Sequence, residues 1–150
     1  PNIYIIISEL LKKGINKDKI YQCAMNTKSA DSIRLNGYAV SKKMQVFPES
    51  KAALITLSRK ELEEFNYQKG DTEALVNVPL SIPEVTWSCF MREEEGYVKV
   101  STRSKGHFAV NKICELYFGG GGHRNAAGGE FRGTLDEAVA TYMKILSQSE

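Results

Sequence analysis

Gly119-Gly120-Gly121-Gly122-His123-Arg124-Asn125-Ala126-Ala127-Gly128-Gly129 is the stretch on which the reading of this chain turns. Consecutive glycines in regular structure cost roughly 0.5 to 1 kcal/mol each relative to alanine, because the unfolded backbone has more freedom to lose. Two arrangements offset that cost. Either a ligand or another backbone approaches too closely for any Cβ, or positive φ angles turn successive N–H groups into an anion-binding nest. His123 and Arg124 follow at once and add side-chain donors. A flexible linker or a plain helix C-cap is the simpler alternative. A linker is not normally followed directly by His123 to Gly128, a strand and a helix, and a C-cap needs one glycine rather than four. The familiar nucleotide loops do not match. The G-x-x-x-x-G-K-[ST] pattern has no lysine in place, and the last glycine of G-x-G-x-x-G falls on Arg124 or Asn125.

Working outward, Val110, Ile113, Cys114, Tyr117 and Phe118 predict an amphipathic helix that the glycines end. Downstream, Glu130 to Arg132 predicts a short strand. Thr134 with Glu137 then forms a capping box before Leu135, Ala138, Val139, Tyr142, Met143 and Leu146 at helical spacing. Upstream, Val85 to Met91 and Tyr97 to Arg103 read as two strands joined by a hairpin loop, Glu93 to Gly96. Ala52 to Leu57 predicts another strand, and Ser58 with Glu61 caps a short helix after it. The first third reads as helical. Ile3, Ile6, Ile7, Leu10 and Leu11 form a helix ended by Gly14, and a second starts from Asn16 with Ile20, Cys23 and Ala24. A third starts near Ser29, with Ile33, Gly37, Val40 and Met44 on one face. The polar stretch Asn66 to Asp71 marks a boundary, giving a helical part over residues 1–65 and a second domain over 66–150. The expected class is α/β, a mixed β-sheet flanked by helices after a helical beginning.

The 150 residues, 42% hydrophobic, are enough for one core or two small ones. A formal net charge of +2 is too small for a protein that coats nucleic acid, so charge has to be read locally. Between Gly96 and Gly133, Lys99, Arg103, Lys105, Lys112, Arg124 and Arg132 face only Glu115 and Glu130, and an anion is expected there. Cys23, Cys89 and Cys114 are odd in number and form no C-x-x-C pair, which fits reduced thiols and a cytoplasmic protein. The run Ile3 to Ile7 is too short for a membrane span, so no membrane partner is expected. The chain opens on Pro1 and enters an apolar helix directly, and a continuation upstream is expected.

Gly120-Gly121-Gly122-His123-x-x-Ala126-Ala127-Gly128 resembles the signature of the DHH-associated domain of DHH phosphoesterases. Tyr97 to Ser104 resembles that domain's strand ending in Ser-x-Arg-Ser, and Val110 to Ile113 the start of the helix leading into its glycines. Gly70 to Asn77 is similar to an earlier segment of the nanoRNase and pAp phosphatase branch, and Ile3 to Leu57 to the helical end of the DHH catalytic domain. The resemblance implies a two-part enzyme that hydrolyses phosphate esters with manganese, the metal ligands lying in a DHH domain that precedes Pro1. This sequence has two histidines, His107 and His123, and no Asp-His-His. No catalytic or metal residue is therefore assigned, and the chain by itself is expected to be inactive. What carries over is substrate binding, by Arg103, Ser104, the backbone of Gly120, Gly121 and Gly122, and His123. The implied partners are short RNA or DNA oligonucleotides or a nucleotide bisphosphate, with the DHH domain itself. A nucleic-acid-binding module without hydrolase activity stays open as a reading, as does an exonuclease-like or exopolyphosphatase-related member of the superfamily.

Arg103 suits bidentate phosphate recognition, whereas His107, in a polar turn, reads as an ordinary surface residue. Strand spacing assigns Trp87, Phe90 and Tyr97 to packing rather than base stacking. Cys114 lies on the apolar face of its helix, which sets it aside as a nucleophile partnered by His123.

Overall fold

The computed structural model describes residues 2–25 and 27–148. The chain divides into two compact units, residues 1–30 and 31–150, and residues 65 and 66 both lie in the second. In the first unit α1 (Asn2–Lys12) ends where Gly14 takes φ +80°. Its N–H donates to Leu11 O at 2.9 Å and that of Ile15 to Leu10 O at 3.4 Å, the paired bonds of a glycine C-cap. Asn16 then starts α2 (Lys17–Met25), its Oδ1 accepting from Lys19 N at 2.9 Å. Neither helix buries a residue, and Ile3, Ile6, Ile7, Leu10 and Leu11 all stand exposed.

All of α3 (Ala30–Tyr38) but its first residue belongs to the second unit, and it runs into a π-helical turn, Ala39–Lys43. Here the expected apolar face is corrected. The helix packs through Ser32 and Leu35, followed by Ala39, while Ile33 is 60% exposed and Gly37 also faces out. The π turn supplies the reason, because wider turns shift the phase of everything after Tyr38. Val40 and Met44 thereby join the core next to Leu35 rather than continuing a stripe from Ile33.

Among the described residues six strands form one sheet: β1 (Gln45–Phe47), β2 (Ala52–Leu57), β3 (Trp87–Glu93), β4 (Val98–Ser104), β5 (Gly120–His123) and β6 (Ala126–Phe131). Their spatial order is β1-β2-β3-β4-β6-β5. Only β2 and β3 pair in parallel, and their crossover carries α4 (Arg59–Glu64) and a 3-10 helix, Leu75–Ser81. Both capping boxes form. Ser58 starts α4 against Glu61, and Thr134 starts α6 (Leu135–Ser147) against Glu137.

The sheet is covered unequally. One face packs along its length on α5 (Val110–Tyr117) and α6, through Leu54, Trp87, Cys89, Met91, Val98, Val100 and Ala127. Trp87 stacks on Phe108 at 5.3 Å and meets Tyr142 at 5.1 Å, so it belongs to the core as its spacing predicts. The other face receives α3, α4 and the 3-10 helix against Ile55, Leu57 and Phe90. Strands β2 and β3 are thus buried on both sides and read as nearly continuous apolar runs. β4 alternates instead. Val98, Val100, Thr102 and Ser104 are buried, while Lys99, Ser101 and Arg103 point to the side where the cover gives out. Beyond β3 the sheet therefore offers an accessible shelf made of β4, β6 and β5. No helix among the described residues is long and apolar enough to cross a membrane.

Candidate functional site

The shelf is floored by the glycine stretch, which is strand rather than loop. Gly119 (φ +58°) turns the chain out of α5, and Gly120–His123 then runs antiparallel to Ala126–Phe131 through a two-residue turn, Arg124 and Asn125. A Cβ on Gly120 would lie 2.0 Å from Gly128 O, and one on Gly129 2.1 Å from Phe118 O. Gly122 and Gly128 would meet carbonyl oxygens at 2.7 Å. Close approach of another backbone is thus observed at all four positions, and Gly122 in addition takes φ +141°. Gly121 is different. Its nearest neighbour would be Glu115 Cγ at 3.7 Å, ordinary contact, and its φ is not positive.

Register brings the predicted side chains together. Arg103 on β4 lies opposite Ala126 on β6, and Ala126 lies opposite His123 on β5, so the three form one row across the shelf. The next row is Ser101, Gly128 and Gly121, and the one after pairs Lys99 with Glu130. Small residues thus separate Arg103 from His123, leaving open floor between two donors. Arg103 is half-buried, with Nη1 donating to Thr102 O at 2.9 Å, and His123 is exposed. Because β5 is the sheet edge, alternate backbone N–H groups of Gly120 to His123 face away from β6. Guanidinium, imidazole and edge amides all favour an anionic oxygen.

Ser104 sits apart from that row. It points to the opposite face, buried, where Oγ donates to Phe108 O at 2.7 Å and accepts from Asn125 Nδ2 at 2.9 Å. Asn125 Nδ2 also donates to Gly106 O at 3.0 Å, and the backbone carbonyl of Asn125 accepts from Ser104 N at 3.1 Å. Ser104 and Asn125 therefore clamp the β4–α5 loop to the turn that carries His123. Sequence reasoning did not single out Asn125; an asparagine in a two-residue hairpin turn was the available signal.

The basic residues around the shelf are not equally available. Lys105 Nζ donates to the carbonyls of Leu80, Ile82 and Pro83 at 3.0, 3.1 and 3.4 Å, closing the end of the 3-10 helix, and Lys112 pairs with Glu115 at 3.1 Å. Nothing in the sequence marked Lys105 for that task. Burial pushes the thiols of Cys89 and Cys114 up, and Cys114 lies in the core at 3.2 Å from Thr102 Oγ1, so neither is set up as a nucleophile. Among the described residues no three or more His, Cys, Asp or Glu side chains come together to hold a metal ion.

Comparison with known proteins completes the site. A family model of the DHHA1 domain matches residues 50–148, which includes β2 to α6 and every shelf residue. The fold superimposes on an exopolyphosphatase-related protein from Bacteroides fragilis with a TM-score of 0.91 and 49% identity, over 98% of this chain and 43% of that one. The chain therefore spans less than half the length of that relative. A pGpG-specific phosphodiesterase from Vibrio cholerae (TM-score 0.55, 14% identity, 79% of this chain and 38% of that one) shares the fold. So does RecJ from Thermus thermophilus, in a complex with Mn2+ (TM-score 0.51, 16% identity, 79% and 16%). No curated protein matches in sequence.

Proposed function

We propose, from the premise that this chain belongs to the DHH family and carries its DHHA1 domain, that it is the substrate-gripping part of a phosphoester hydrolase acting on nucleotides or short oligonucleotides. The observation that supports this most directly is the row Arg103, Ala126, His123 on the uncovered face of the sheet. Arg103 would hold a phosphate through its planar donor pair, His123 would donate from the far side, and the Gly120 to Gly122 edge would add backbone N–H groups. Ser104 joins the proposal as a positioning residue, through Asn125 and the turn. Short oligoribonucleotides and nucleotide bisphosphates such as pAp are the proposed substrates, in the cytoplasm. Manganese belongs to the proposal as the cofactor of the whole enzyme. Among the described residues the His, Cys, Asp and Glu side chains do not fit a metal cluster, so the metal would be held outside them.

The test is titration calorimetry of the chain with a nucleotide bisphosphate and a short oligonucleotide. Arg103→Ala and His123→Ala should each weaken binding by about 1 to 3 kcal/mol, the scale of a lost charge-assisted hydrogen bond, with unchanged melting curves. Wild-type affinity in both folded variants would remove the phosphate site from the shelf. A second reading, inorganic polyphosphate as substrate, draws on the likeness to the exopolyphosphatase-related protein. Tripolyphosphate in the same titration decides it, since only that reading expects it to bind more tightly than the nucleotides.

A further inference from the structure

Glu115 brings a carboxylate to the edge of a site otherwise lined with donors. It projects from α5, and a Cβ built on Gly121 would lie 3.7 Å from its Cγ and 4.0 Å from its Oε1. Strand alternation puts Gly121 on the same side of β5 as His123, in the row next to Arg103, Ala126 and His123. The two oxygens of Glu115 are engaged differently. Oε2 accepts from Lys112 Nζ at 3.1 Å, an i,i+3 pair that anchors the side chain along α5. Oε1 is the one beside Gly121, and among the described residues no donor is bonded to it.

A free carboxylate oxygen one row from a phosphate grip selects what can lie against it. A second phosphate is repelled, anion against anion. An O–H or N–H donor is attracted, and its bond to a charged acceptor is of the stronger kind. His123 and Gly121 are two residues apart on one strand, about 7 Å at strand rise, which leaves room for a phosphate at one and the adjoining sugar at the other. Gly121 has no side chain to fill that room, and nothing inside the protein closes it. The donors a sugar carries are its hydroxyls. Within an oligonucleotide the 3′ oxygen is esterified and has no proton, so the hydroxyl left to donate is the 2′ one, which only RNA possesses.

We infer that Glu115 is a specificity-determining residue for RNA over DNA, its Oε1 accepting from the ribose 2′-hydroxyl next to the phosphate gripped at Arg103 and His123. It rests on the phosphate site proposed above.

The experiment is calorimetry of the 150-residue chain with a 5′-phosphorylated diadenylate in three forms: ribose, 2′-deoxyribose and 2′-O-methylribose. Wild type should bind the ribose form about tenfold more tightly than either of the others, the effect of one hydrogen bond to a charged group. The 2′-O-methyl form keeps the oxygen and loses the proton, so it separates hydrogen bonding from sugar shape. Glu115→Ala should bring the ribose form down to the affinity of the deoxy form, with the melting curve unchanged because only Lys112 is bonded to that carboxylate. Arg103→Ala should weaken all three ligands alike and leave the ribose preference in place. Equal ribose and deoxyribose affinities in wild type overturn the role of Glu115, and so does a 2′-O-methyl form that binds as well as ribose or a preference that survives Glu115→Ala. In each of those cases a loss in Arg103→Ala keeps the phosphate site. No loss in Arg103→Ala overturns the phosphate site itself, and no measurable binding of any form at millimolar concentration overturns both.

Discussion

At the scale of single residues, the glycines separate into two kinds. Gly120 has no room for a methyl group, since backbone at 2.0 and 2.3 Å cannot move without pulling β5 off β6. Gly121 has room and an ordinary φ, so nothing inside the protein requires glycine there. Gly120→Ala should therefore destabilise by about 3 kcal/mol or more, on the scale of severe overpacking, and Gly121→Ala by less than about 1 kcal/mol. Urea unfolding checks both. If Gly121→Ala folds normally yet loses nucleotide affinity, glycine is kept there for the ligand; equal destabilisation of the two variants would contradict the register. The sequence made the glycine run conspicuous but could not assign its members, because the clash at each depends on the strand alongside.

At the scale of elements, two polar joints hold segments that distant sequence brings together. Glu61, within the α4 capping box, accepts from Lys43 Nζ at 2.8 Å, Tyr38 Oη at 2.6 Å and Ser58 N at 2.8 Å, tying the π turn to α4. Burial alone would raise its pKa, but these bonds to Lys43, Ser58 and Tyr38 outweigh it and lower the value from 4.5 to about 2. The same bond raises the Tyr38 hydroxyl. A depressed carboxylate stabilises the fold above its unfolded pKa and ceases to do so as pH falls through the folded one. Roughly 3 kcal/mol should thus be lost between about pH 5 and pH 2, and Glu61→Gln should flatten that part of the stability profile measured by urea unfolding. An unaltered acid limb in the variant would deny the joint. The capping box was legible from Ser58 and Glu61, whereas Lys43 and Tyr38 were not, since a π turn has no sequence period to announce it.

The second joint is Asn125 with Ser104. Asn125→Ala removes the bonds to Ser104 Oγ and Gly106 O and loosens the loop and turn against each other. It should cost about 1 to 2 kcal/mol of stability and weaken nucleotide binding through His123, although Asn125 itself is not placed to hold ligand. Asn125→Asp, which retains an acceptor but loses the amide donor, should behave like alanine. Rescue of stability by Asp would mean that the donor is not what matters.

At the scale of the whole molecule, the two units should exchange amide hydrogens differently. The first buries no residue of α1 or α2, while the second encloses two cores on the two faces of its sheet. Hydrogen exchange should find the slowest amides in β2, β3 and β4, which lie inside the sheet, and fast exchange across α1 and α2. Slow exchange in α1 equal to that of β3 would contradict this division.

Local chemistry was enough for a great deal. Capping boxes, the Gly14 and Asn16 helix boundaries, the β3–β4 hairpin and the last helix are short-range matters, decided by side chains within a few residues of the backbone groups they satisfy. The glycine signature with Arg103 likewise pointed to the family before any strand was paired. Other features depended on contacts far apart in sequence. Which face of α3 is buried, that Gly120–His123 is an edge strand, that Ser104 turns away while Arg103 and His123 share a row, and that Glu115 lies beside Gly121 all follow from register and from where the helical cover ends. Those are settled only when the sheet closes, because alternation along a strand says which residues share a face but not what, if anything, will cover it.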